Sequence, residues 1–187
     1  MAKLVVVDPG HGGSDPGAGG HGLREATLTL TLAKRLRAAL LRDFDVRVEL
    51  TRSTDRAVAL KRRATFANDL RADYFVSVHI NSGGGTGYED FVHSSVAASS
   101  KAAKRRSALH DAVMDFMRGE GMPDRGKKSA NFAVLRETRM PAVLTENLFL
   151  DSPADARLLK DDAFLTRVAE AHARGIGVAL ALPHRPG

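Results

Sequence analysis

The 187-residue chain is the size of one ordinary domain, and with 43% apolar and 27% charged residues it can bury a substantial core. The absence of cysteine excludes a disulfide framework and any thiolate metal site, so a metal here needs His, Asp or Glu ligands. A formal net charge of +6 favours an anionic partner, such as nucleic acid, an acidic membrane surface or an acidic wall polymer, without choosing among them.

No apolar run approaches the roughly 18 residues of a membrane span. The opening MAKLVVVDPG lacks the apolar stretch and small-residue cleavage site of a signal peptide, so neither membrane insertion nor export by such a peptide is expected. LVVVD (4–8) reads as a strand running into a glycine-rich loop that carries His11 and His21. Residues 25–41 place Leu28, Leu32, Leu36 and Leu40 at four-residue steps among Lys34, Arg35 and Arg37, an amphipathic helix opened by Glu25. VRVELT (46–51) is a second strand, and 57–70 a helix whose KRR run at 61–63 reads as a solvated face. YFVSVHIN (74–81) and YEDFVH (88–93) follow as strands. The helix at 97–118 contains KAAKRR (101–106), which also reads as a solvated face; both runs lack the interleaved aromatics of a single-strand binding surface, so no nucleic-acid partner is expected. NFAVLR (131–136) and AVLTENLFL (142–150) read as the last strands. Ser152-Pro153-Ala154-Asp155 then forms a helix-start signature ahead of a closing helix at 161–182. The alternation predicts a single three-layer α/β domain over 1–182, a mostly parallel twisted sheet of about six strands flanked by helices, with 183–187 as a tail or the start of a linker.

Ligands of such sheets bind outside the carboxyl ends of the strands. His11 follows the first strand, His79 closes YFVSVHIN, and Glu146 ends a third apolar run. A catalytic zinc needs three protein ligands and an open fourth position, a requirement that His11, Glu25 and His79 fit. Each has a plainer reading: Glu25 as a first-turn acid facing the helix dipole, either histidine as a hydrogen-bonded structural residue. A phosphate loop is disfavoured because the P-loop lysine and hydroxyl are missing. Glu146, flanked by AVLT and NLFL, would be costly in a core unless paired or functional, and burial should raise its pKa. Asn81 and Arg136 occupy pocket-like positions, as substrate contacts or as structural hydrogen bonds. His21 reads as mobile or substrate-facing, and His93, His110, His172 and His184 as structural.

From Leu4 to about Leu180 the chain resembles the zinc-dependent N-acetylmuramoyl-L-alanine amidases, a family of cell-separation amidases, sporulation lysins and phage endolysins. DPGHGGSDPGA (8–18) resembles the family's opening signature, GLREATLTL its second segment, TRSTDRAVALKRRATFAN (51–68) its central one, ADYFVSVHIN (72–81) its third, and FAVLRETRMPAVLTENLFL (132–150) its closing one. The resemblance implies one Zn2+ per chain held by His11, Glu25 and His79, with Glu146 as catalytic acid and base. It implies hydrolysis of the amide between the lactyl group of N-acetylmuramic acid and L-alanine in peptidoglycan, by a monomer acting on the cell wall. The setting would be that of a holin-released endolysin, a mother-cell lysin or a domain of a longer secreted protein. A zinc peptidase or deacetylase, or a non-catalytic wall-binding module, are the competing expectations. The family often carries glycine before the phenylalanine and asparagine shortly after it, where this chain has Leu148 and then Asp151-Ser152.

Overall fold

The computed structural model describes residues 2–185, and in its first strand, β1 (Lys3–Pro9), successive side chains part to opposite faces of a sheet. Val5 and Val7 enter one apolar cluster, Leu4 and Val6 a second. After β1 come a two-residue hairpin, β2 (Gly19–Gly20) and β3 (Leu23–Arg24), then α1 (Glu25–Asp43) and β4 (Val46–Leu50). The chain continues through α2 (Leu60–Asp69), β5 (Tyr74–Asn81), β6 (Tyr88–His93), α3 (Lys101–Gly119), β7 (Asp124–Ala130) and α4 (Ala133–Arg136). It closes with β8 (Ala142–Phe149), α5 (Pro153–Leu159) and α6 (Asp162–Leu180).

The six-stranded sheet has the order β4-β1-β5-β8-β6-β7. Strands β4, β1, β5 and β8 run parallel; β6 meets β8 antiparallel and β7 follows β6. Helices α1, α3 and α6 cover the face that holds Val5, Val7, Val76 and Val78, because Leu32, Leu36, Leu109, Val113, Val168 and Ile176 share one core with them. Residues of α2 and α4, Ala67, Val134 and Leu135, cover the other face with Leu4, Val6, Phe75 and Leu144. The expected three-layer α/β arrangement is therefore present. Ser152 caps α5 as anticipated, its hydroxyl accepting from Asp155 N at 3.3 Å with Pro153 in the first turn.

The strand expected at 131–136 is absent; its place in the sheet is taken by β7 at Asp124–Ala130, and 133–136 is a helical turn. Val134 and Leu135 are consecutive and both buried, which suits a helical turn packed on one face of a sheet better than a strand that alternates its faces. The true strand, DRGKKSA, forms the sheet's edge and carries Arg125, Lys127 and Lys128, charges that discourage edge-to-edge pairing and also erase the apolar signal. A second correction concerns the basic runs. Arg63 is 3% exposed and Arg105 8%, so neither run is wholly a solvated face. Of the residues beyond 182, Asp45 N donates to Pro183 O at 2.9 Å and Arg185 N to Asp43 O at 3.0 Å, while Pro186 and Gly187 lie outside the described residues.

Among the histidines read as structural, His93 bonds Ser95 and Asn131, and His110 lies between Asp90 and Asp124. His172 is fully buried in α6, with Nδ1 at 2.8 Å from Val168 O, and burial pushes its pKa from 6.5 down to about 4. The unfolded chain takes up this proton near pH 6.5 and the native state does not, so the contribution is complete above 6.5 and is lost as pH falls toward 4. At about 1.4 kcal/mol per unit, acidification to pH 4.5 should remove roughly 2 to 3 kcal/mol. Urea melts of the protein and of His172→Leu across pH 4.5 to 7.5 should diverge by about that amount. Parallel losses in the two proteins would refute the assignment.

Candidate metal centre and catalytic pocket

Three parallel strands deliver their carboxyl ends to one edge. In the sheet His79 lies beside Glu146, and Pro9 beside Val78, with Gly10 N donating to Val78 O at 3.0 Å. His11 leaves β1 in the left-handed region (φ 59°), which swings its imidazole back over the sheet edge toward His79. The two rings stand edge to face, 5.0 Å between centroids. Glu25, first residue of α1, reaches both: Oε2 is 3.1 Å from His11 Nε2, and Oε1 is 3.0 Å from His79 Nδ1.

The donors fit a cation. One nitrogen from each imidazole and one Glu25 oxygen all lie within 4.8 Å of one another. Donors bonded tetrahedrally to zinc at about 2.0 Å stand roughly 3.3 Å apart, so the set would close by no more than about 1.5 Å around the ion. Packing supports the same view: a Cβ at Gly17 would come within 2.6 Å of Glu25 Oε2 and 2.7 Å of His11 Cδ2, so the loop backbone closes directly over the donors. The electrostatics are those of a cation site holding protons instead. Hydrogen bonding to Glu25 raises His11 to about 9. Burial alone would raise Glu25, yet bonds from His11 and His79 keep it well below the usual carboxylate range. His11 Nδ1 is 2.9 Å from Asp15 Oδ2, a carboxylate that orients the ring and directs Nε2 at Glu25. Glu25 also accepts from Ala18 N and Ile80 N, which locks its rotamer.

Two buried arginines hold this geometry from behind, and sequence reading assigned neither. The Arg52 Nη2 donates to Gly10 O, Ala26 O and Thr29 Oγ1 at 2.8, 2.8 and 3.0 Å, joining the residue before His11 to the residue after Glu25. Arg63 donates to Asp8 Oδ1 at 2.9 Å and to His11 O at 2.8 Å; Asp8, fully buried, also accepts from the Ser77 and Thr51 hydroxyls. The central segment TRSTDRAVALKRR thus acts as a scaffold for the His11 loop.

A cavity of about 280 Å³ opens beside the donors, with His11, Asp15, Arg63, His79 and Glu146 on its polar side. Glu146 Oε2 is buried and has no hydrogen-bond partner among the described residues. Burial, with Glu25 and Glu89 adding to it and the two imidazoles opposing, pushes the carboxyl up to about 7. An unpartnered carboxyl near neutrality beside a cation site is suited to moving a proton.

Asn81 and Arg136 do not line this cavity. Asn81 donates to Glu89 at 2.9 Å, which itself binds Arg125 and Lys128, and Arg136 pairs with Asn131 and Glu137 at another hollow. His21 is exposed, 3.4 Å from Asp151 O. The departures after Glu146 have structural content. A register shift between β5 and β8 makes a bulge in which Leu148 takes φ 69°, a conformation that favours glycine, the residue the resemblance leads one to expect there. Asp151 accepts from Gly83 N and Gly84 N at 2.8 and 2.7 Å, tying down the glycine-rich turn after β5.

Comparison with known proteins places these features. The sequence model of a family described as N-acetylmuramoyl-L-alanine amidase matches residues 5–178. The endolysin of Bacillus phage SPP1 is 46% identical over 188 residues, covering 100% of this chain and 69% of that protein. The sporulation-specific N-acetylmuramoyl-L-alanine amidase of Bacillus subtilis (strain 168) is 46% identical over 179 residues, 95% of this chain and 68% of its own length. Among solved structures, the catalytic domain of CwlV, an N-acetylmuramoyl-L-alanine amidase from Bacillus (Paenibacillus) polymyxa var. colistinus, superposes with a TM-score of 0.88 at 36% identity, over 97% of this chain and 99% of that one.

Proposed function

This chain belongs to the N-acetylmuramoyl-L-alanine amidase family, and from that premise we propose that His11, Glu25 and His79 hold one zinc ion while Glu146 carries the proton of the reaction. The activity is hydrolysis of peptidoglycan at the amide between the lactyl group of N-acetylmuramic acid and the L-alanine of the stem peptide. When bound, zinc supplies Lewis-acid polarisation of the carbonyl and lowers the pKa of water from about 15.7 to about 7. Glu146 Oε2 takes the proton of the attacking water and returns it to the amide nitrogen as the C–N bond breaks, leaving the lactyl carboxylate and a free L-alanine amino group. Asp15 keeps the His11 ring in one orientation, and Arg52 and Arg63 hold the backbone on either side of it. The site of action is the cell wall, whose stem-peptide carboxylates suit the +6 chain. No helix among the described residues is long and apolar enough to cross a membrane.

The observation that carries this reading is the partnerless, buried Oε2 of Glu146 beside a His-Glu-His donor set. Its test is product analysis of digested muropeptides before and after chelation. Treated walls should yield peptides with new L-alanine amino termini, the chelated protein should yield none, and added zinc should restore them. Cleavage of another bond, or full activity in excess chelator, would contradict the proposal.

A further inference from the structure

The proton-transfer chemistry uses only the polar side of the catalytic cavity. Apart from Asp8 and Gly10, the rest of its lining is apolar: Val58, Leu60, Phe132, Ala133, Val134 and Leu144. Two of these project into water, Leu60 at 58% and Phe132 at 37% exposure, and they belong to only five large apolar side chains so exposed among the described residues. A scattered exposed leucine needs no explanation, but two at the rim of one cavity form a patch of the kind found at ligand grooves.

Both sit on fixed backbone. Leu60 is the first residue of α2 and Phe132 the N-cap of α4, two helices that pack together. The Phe132 ring stacks edge-on against Phe91 at 5.2 Å. For Phe132 little ordering is therefore left for a ligand to impose, which favours binding.

The substrate has matching chemistry. Its scissile amide is flanked by two methyl groups, that of the lactyl unit on the acyl side and that of L-alanine on the amine side. A cavity that seats the amide against Glu146 and His79 must house those methyls, and its apolar wall is the surface that gains by doing so. We propose that Leu60 and Phe132 are specificity-determining residues which, with Val58 and Val134, seat these methyls and make the enzyme select L-alanine over glycine at the first stem-peptide position. The inference rests on the amidase reading given above.

The test uses the zinc-loaded chain and two synthetic muropeptides that differ only in L-alanine or glycine at the first position. One methyl in an apolar pocket discriminates by roughly 10-fold or more in kcat/KM, so the unmodified protein should prefer L-alanine by about that factor. Leu60→Ala combined with Phe132→Ala should bring the ratio to within about 3-fold of unity, chiefly through a higher KM for the alanine substrate with kcat little changed. Zinc content should stay unchanged and the thermal midpoint should fall only a little, since Leu60 is largely exposed and Phe132 gives up chiefly its contact with Phe91, and truncation of Val178, 71% exposed on α6, should leave the ratio intact. An active parent that does not discriminate, or a double variant that keeps the parent's ratio, overturns the role of the rim alone. A parent that cleaves neither muropeptide overturns the amidase reading and the rim inference with it.

Discussion

Glu146→Gln is expected to bind zinc with unchanged stoichiometry and to lose about two to four orders of magnitude in kcat, the usual worth of a positioned general base. The substitution keeps the size of the side chain and removes its capacity to accept a proton, so a structural effect is separable from a chemical one. Oε2 has no partner to lose and the carboxyl is already pushed up to about 7 by burial. A neutral amide is therefore tolerated there, and the thermal midpoint should hold or rise. Metal analysis, unfolding and steady-state kinetics on a soluble muropeptide together decide the matter. If Glu146→Gln kept a tenth or more of the parent kcat, the proton carrier would have to be sought elsewhere.

Arg63→Met is expected to be the largest single loss of stability, about 3 to 5 kcal/mol, because it strands a buried charge. The side chains of Arg63 and Asp8 are 4% and 1% exposed and meet at 2.9 Å. Removing the guanidinium leaves the Asp8 carboxylate with only two hydroxyl donors. It also frees His11 O, so zinc affinity should fall roughly 10- to 100-fold, as for other groups that orient a ligand. Urea unfolding of the metal-stripped protein isolates the first effect, since zinc would otherwise stabilise the native state by mass action. Adding Asp8→Asn removes the stranded charge while retaining an acceptor, and the double variant should be less destabilised than Arg63→Met alone. A loss under about 1 kcal/mol, or strictly additive losses in the double variant, would refute the buried-pair account.

The four residues proposed for the chemistry stood out in the chain because each interrupts or borders an apolar run or opens a helix. His11 follows β1, His79 lies two residues before the end of β5, Glu146 sits beside it within β8, and Glu25 opens α1, so parallel strands bring these groups toward one edge. Arg63 was not legible: within KRR it has the local look of a solvated lysine-arginine face, and only β1, 55 residues away, supplies the partner that justifies its burial. Strand β7 escaped for the opposite reason, since an edge position removes the need for apolar residues while leaving the backbone to pair. NFAVLR was misassigned because a short apolar run does not distinguish a strand from one turn of helix. Leu148 shows a further gap, as nothing in its identity indicates a positive φ; the bulge in β8 requires it.

By itself the amino-acid order determined the alternation of strands and helices, the absence of thiolate donors, and the kinds of side chain that arrive at the sheet edge, because periodicity, capping and donor type are local properties. Only the tertiary structure decided that three donors lie within 4.8 Å of one another, that Glu146 is a carboxyl poised near neutrality, and that Arg52 and Arg63 are interior. Distance, desolvation and charge pairing belong to surroundings assembled from distant segments, and a linear string does not contain them until the chain has packed.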